Sequence, residues 1–275
     1  RGAPVRHQGP HPLHQFLRQN RWEKEWTALK KKEARYLMRR REEKTSSALQ
    51  QKLEEKIPEK LEETLNTAFI KAFDLVFEKG TGLIEKTYNK DQQKTDYQVR
   101  EYAAGLKESR KTVKAFGRQS QGTRMKNLMI SGVEGVGLGL LGIGLPDIPL
   151  FTAVILKSVY EIALSYGFEY ESEKEQWFIL KMIETALKKG EELERNNSLL
   201  NAWIDQNGIG ETVKGRKEQS KETAAALAEA LLYMKFLQGI PVVGIAGGAA
   251  DTVYLKKITD YAELKYKRRF LRKKI

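Results

Sequence analysis

Apolar residues recur along most of this chain at spacings of three, four and seven, and the elements this pattern predicts are helices. Over residues 13–44 the stripe is Phe16, Trp22, Trp26, Leu29, Tyr36 and Leu37, while the runs Lys30-Lys31-Lys32 and Arg39-Arg40-Arg41 load the other faces with positive charge. A second helical stretch, residues 46–57, gives way to Pro58, a residue suited to the first turn of the next helix. There Leu61, Leu65, Ala68, Phe69, Ala72, Phe73 and Val76 keep an i, i+4, i+7, i+8 register that predicts a helix buried along one stripe. Gly80-Thr81-Gly82 is a stop signal, and weaker helical patterns follow up to Tyr88 and over residues 97–116. The polar, glycine-bounded stretch 117–123 reads as a join between two halves. Beyond it helices are predicted over residues 173–189, 198–204, 222–236 and 252–272. Nowhere do β-branched residues alternate with polar ones between hairpin turns. The expected fold is all-α: a multi-helix bundle with a basic N-terminal helical arm.

The pattern changes character at two places. Gly135, Gly137, Gly139, Gly142 and Gly144 are interleaved with Val, Leu and Ile, and Leu145-Pro146-Asp147-Ile148-Pro149-Leu150 follows. A milder version runs from Ile240 to Asp251. The first stretch, residues 135–156, has the length of a membrane-crossing helix. Asp147 would cost ~2.5–3.5 kcal/mol at the centre of such a helix, and Pro146 and Pro149 would break its hydrogen-bond ladder where hydrocarbon offers no other partner. The expectation is therefore a glycine-rich helical hairpin, buried or dipping into a membrane, with a true span or an irregular core turn as the other readings. Gly137-Leu138-Gly139-Leu140-Leu141-Gly142 matches G-x-G-x-x-G in letters, but no strand precedes it, so a nucleotide site is a poor reading.

Composition removes several chemistries. The 275 residues include no cysteine, and the three histidines, His7, His11 and His14, all lie in the first fourteen positions. Thiolate nucleophiles, disulfides and histidine-based triads or metal sites are excluded from the body of the chain. No metal and no cofactor is expected. A net charge of +13 points to an anionic partner. Residues 1–14 lack the apolar core of a signal peptide, so a cytoplasmic location is expected. Residues 1–12 are expected to be disordered or left over from expression, residues 13–57 to form the arm, and residues 58–275 the helical domain.

The order of motifs in the C-terminal half resembles that of the bacterial EcsC family. Its parts are the glycine-rich stretch 135–144, then Asp147-Ile148-Pro149, then a helix from Tyr160-Glu161-Ile162 to Tyr166-Gly167, and finally Pro241-Val242-Val243-Gly244 with Gly248 and a basic tail. The family takes its name from an operon that also encodes an ABC transporter, which implies work near the cytoplasmic membrane and a membrane transporter as a conceivable partner. It implies no reaction.

Two classes of function follow. The first is a non-enzymatic protein held peripherally at the inner face of the cell membrane, where it binds anionic lipid or a membrane partner. Its contacts are expected from Gly137, Gly139, Leu140, Leu141 and Ile143 of the first glycine-rich segment. Lys265, Lys267, Arg268, Arg269 and Arg272 of the tail are expected to join them, each cation worth ~1 kcal/mol near an anionic surface. The second is a hydrolase-like enzyme acting on an anionic substrate through the embedded carboxylates Asp147, Glu161 and Asp251, although Asp147 and Asp251 equally suit helix caps. Nucleic-acid binding is a weaker third reading, because no helix-turn-helix, zinc-finger or RNA-binding aromatic motif is present. Nothing in the sequence sets an oligomeric state.

Overall fold

A computed structural model describes residues 12–42, 59–80, 89–106, 114, 148–206, 215–238 and 249–275. Among these residues the regular elements are helical, as expected: α1 (Pro12–Glu42), α2 (Glu59–Leu75, running into a π-helical turn Val76–Gly80), α3 (Lys90–Leu106), α4 (Ile148–Ser165), α5 (Glu173–Leu187), α6 (Gly190–Asp205), α7 (Arg216–Gln238) and α8 (Ala249–Arg272). The glycine-rich segment with Gly137, Gly139, Leu140, Leu141, Ile143 and Asp147 lies outside the described residues. So do the predicted helix 46–57, the join 117–123 and the stretch 240–248.

Two helices form the centre. In α5 every residue from Glu175 to Ala186 is buried, and in α4 every residue from Ser158 to Ser165. A helix buried on all faces must satisfy its polar side chains internally. In α4, Thr152, Ser158 and Ser165 donate to the carbonyls of Ile148, Val154 and Ile162 at 2.8, 2.9 and 2.7 Å. By length and composition α4 is apolar enough to cross a membrane, with a mean hydropathy of 1.5 over 18 residues, yet two-thirds of it is covered by the other helices. The helix begins at Ile148, so Pro149 sits in its first turn, where its missing N–H costs no intrahelical bond.

Around this centre α7 packs on α2 and α5, α8 on α4 and α5, α3 on α4, and α1 on α8 and α6. The N-terminal arm is thus laid along the body, with Trp22 and Leu29 buried and Trp22 edge-on to Phe270 at 5.7 Å.

The turn from α4 to α5 explains the Tyr-Gly pair. Phe168 N–H bonds to the Ala163 carbonyl at 3.0 Å and Gly167 N–H to that of Leu164 at 2.9 Å, the paired bonds of a Schellman motif. Gly167 takes φ +77°, and a Cβ there would lie 2.3 Å from the Tyr97 ring of α3. The position therefore requires glycine twice over, for its backbone and for the close approach of α3. Five residues on, Ser172 caps α5 by accepting from Glu175 N–H at 3.2 Å.

Candidate functional site

Along α1, Lys32, Arg35, Tyr36, Arg39 and Arg40 fall at i, i+3, i+4, i+7 and i+8, which places them on one side of the helix. Along α8, Val253, Lys256, Lys257, Asp260 and Leu264 form the matching stripe. Where α1 crosses α8 these two stripes face each other and enclose a groove of about 550 Å³. Six cations line it against the single carboxylate of Asp260, and Tyr36, Val253 and Leu264 give it apolar surface.

Local contacts fix the walls. Arg40 is buried and its Nη2 donates to the carbonyls of Ala186, Leu187 and Lys188 at 3.0, 3.4 and 2.9 Å. It closes the C-terminal end of α5 with a positive charge where the helix dipole is negative. Arg35 Nε donates to the Lys31 carbonyl, Lys32 lies 3.5 Å from Glu263, and Lys256 lies 2.5 Å from Asp260. Tyr36 packs on Tyr261 with ring centroids 5.5 Å apart.

Beside the groove lies a buried polar hub. Lys265 has no exposed surface, and its ammonium donates to Glu33 Oε1, Asn197 Oδ1 and Asn201 Oδ1 at 2.5, 2.5 and 2.7 Å, so all three of its protons have acceptors. Asn201 and Arg268 also donate to Glu33, and Tyr261 OH donates to Asn197. Burial pulls the Lys265 ammonium down to about 8, against the opposing pull of Glu33. For Glu33, burial acts upward, but Lys265, Asn201 and Arg268 together hold its carboxyl below the ordinary value. At neutral pH both remain charged, and the pair locks α1 onto α6 and α8.

Each tail cation expected to contact lipid also has a carboxylate partner within the molecule. Lys265 is sealed in the hub, and Arg268 reaches Glu33 and Asp205, with Asp205 Oδ2 at 2.7 Å. The Arg269 guanidinium donates to Glu175 at 2.6 Å and lies 4.2, 4.6 and 5.1 Å from the ring centres of Phe168, Phe178 and Trp203. Lys267 pairs with Glu25 at 2.8 Å, and Arg272 with Asp205 at 3.2 Å. Through these contacts the tail bridges α8 to α1, α5 and α6, while Lys267 and Arg272 keep part of their surface exposed. Of the groove's six cations, Lys32, Arg39 and Arg40 belong to the arm runs 30–32 and 39–41.

Of the three candidate carboxylates, Glu161 is the one whose side chain is described. Glu161 is buried in α4 and accepts from Gln93 Nε2 at 3.3 Å. Asp251, expected just before a helix, is the third residue of α8, since that helix starts at Ala249. Asp147 is outside the described residues. Among the described residues no three carboxylates or imidazoles are grouped to hold a metal. Sequence reasoning passed over Arg35, Val253 and Asp260, although the i, i+3, i+4, i+7 spacing on each helix was there to find them.

The comparisons with known proteins agree with the order of motifs. Over 142 residues the chain is 27% identical to a Bacillus subtilis (strain 168) protein described as uncharacterized protein YdbA, in an alignment that covers 50% of this chain and 51% of that one. The chain thus spans about half the length of this relative. No solved structure matches. The profile of the EcsC protein family matches residues 23–271, which takes in most of α1 together with the whole helical body, and the chain belongs to the EcsC family.

Proposed function

We propose that this protein binds the phosphate headgroups of anionic lipids through the groove between α1 and α8, and works peripherally at the inner face of the cell membrane. The observation that carries this reading is the composition of the groove: six cations, one carboxylate and three apolar side chains on two adjacent helices. A phosphate surface matches the charge, and a half-exposed Val253 beside Lys256 and Lys257 suits the boundary between headgroups and acyl chains. The net charge of +13 supplies long-range attraction to the same surface. At ~1 kcal/mol for each cation engaged, three or four contacts give reversible recruitment with no spanning helix. The acidic inner leaflet is the natural counterpart.

The test is co-sedimentation of the full chain with vesicles of phosphatidylcholine alone and with added phosphatidylglycerol. Binding is expected only to the anionic vesicles. It should weaken steeply with salt, because the Debye length is ~8 Å at physiological ionic strength. Equal binding to neutral vesicles would rule out the groove as the recognition element.

A further inference from the structure

The register of the two helices that form the groove follows from their contacts. Trp22 meets Phe270, Lys32 lies 3.5 Å from Glu263, and Tyr36 packs on Tyr261. Residue numbers that rise along α1 fall along α8, so the two helices run antiparallel and their side chains fall into levels. Lys32 and Arg35 lie toward the end of the groove that holds Leu264, and Arg39 lies toward the end that holds Val253, Lys256 and Lys257. Tyr36 and Asp260 come between. The cations therefore stand at two levels, with the groove's one carboxylate in the middle.

Two consequences define what fits. Lys32 and Arg39 are two helical turns apart, ~10.5 Å along the axis. Charge-assisted hydrogen bonds to phosphate are only ~2.7–2.9 Å long, so one phosphate engages one level. Asp260, which pairs with Lys256 at 2.5 Å, repels a phosphate from the middle and keeps the two anion positions apart. Lys32, Arg35 and Arg39 are exposed and Lys257 is half-buried, so both levels are reached from solvent. The volume of about 550 Å³ is more than one phosphate fills.

We propose that the groove takes a single lipid headgroup carrying two phosphates joined by a short uncharged bridge, one phosphate at Lys32 and Arg35 and the other at Arg39 and Lys257. The proposal rests on the lipid reading above and adds the class of headgroup to it. Two phosphates on one headgroup make the second contact intramolecular, at an effective concentration that two separate lipids do not reach. The full chain is titrated with phosphatidylcholine vesicles that contain either phosphatidylglycerol, with one phosphate, or cardiolipin, with two on one glycerol bridge. Total anionic phosphate and salt are held equal. Cardiolipin vesicles are expected to bind about 10-fold more tightly. Arg35→Gln and Arg39→Gln, which remove one exposed cation from different levels, should each lower that preference to about 3-fold or less. Lys267→Gln with Lys274→Gln, outside the groove, should leave it unchanged. Equal binding to the two kinds of vesicle would overturn the two-phosphate proposal and leave the lipid reading standing, whereas no binding to either would overturn both. A preference kept in both arginine variants while their thermal unfolding stays wild-type, or lost to the same extent in the Lys267 and Lys274 variant, would also overturn the proposal.

Discussion

Near its N-terminal end α8 presents Lys256 and Lys257 to an open groove, whereas from Lys265 onward its cations are matched with carboxylates of other helices: Glu33 and Glu25 on α1, Asp205 on α6 and Glu175 on α5. The residue types are the same in both halves, and so is the helix. What differs is what lies opposite. The C-terminal half lies against α1, α5 and α6, so its cations are drawn into internal ion pairs. The N-terminal half faces the arm's own cations, and there the like charges add to a field directed outward. A basic tail counted as one surface in the sequence therefore has two parts, a clamp and, under the proposed function, a receptor.

The clamp should show the largest stability effects. Glu33→Gln leaves Lys265 buried without its carboxylate and is expected to cost ~3–5 kcal/mol in urea unfolding. The double change Glu33→Leu with Lys265→Met removes both charges and should recover most of that loss, since a buried pair and an apolar replacement of similar size are close in energy. The two proteins also separate in pH. Glu33 has a folded pKa below the 4.5 of a free glutamate, so on acidification the unfolded chain takes up the proton first. The stability supplied by the carboxylate is complete above that value and is lost as pH falls through the lower folded one. The unfolding midpoints of wild type and Glu33→Gln should accordingly converge as pH falls below 4.5, while the double variant, which lacks the group, loses nothing to its titration.

Smaller losses are expected at the supports of the two devices. Arg40→Met removes the charged donor that closes α5 and should cost ~1.5–3 kcal/mol, read by the same unfolding experiment. Gly167→Ala forces an L side chain into the left-handed region, worth ~1–2 kcal/mol, and must also displace the Tyr97 ring. Tyr97→Ala should remove the steric part of that cost and leave the backbone part.

Periodicity carried the helices well. The pattern over residues 13–44 appears as α1 (Pro12–Glu42), and that over 222–236 as part of α7 (Arg216–Gln238). It extends to the groove, whose two walls are stripes of one helical face each. It does not extend to pairing. Glu33 and Lys265 are 232 positions apart, and no local spacing tells a cation that meets a carboxylate across the core from one that meets water. In the second half of α4 the burial of every residue from Ser158 to Ser165 leaves no exposed polar face to reveal the helix's partners. The Tyr166-Gly167 pair was visible as a motif, but its cause was not, since it lies in a turn conformation and in a ring from α3.

The smallest stability effect belongs to the receptor, and it carries the central claim. Lys256→Gln with Lys257→Gln should change folding stability by no more than ~0.5 kcal/mol, as surface substitutions usually do. The direct test compares this pair with Lys267→Gln and Lys274→Gln, which remove the same net charge from the clamp side, where Glu25 and Glu101 are the partners. Binding of each full-length variant to phosphatidylglycerol vesicles would be measured at one salt concentration. The account predicts a loss of about 2 kcal/mol, on the order of 30-fold, for the groove pair, and a change of less than about 3-fold for the clamp pair. Equal losses for the two pairs would show that total charge alone governs binding and would contradict the division of α8 into clamp and receptor.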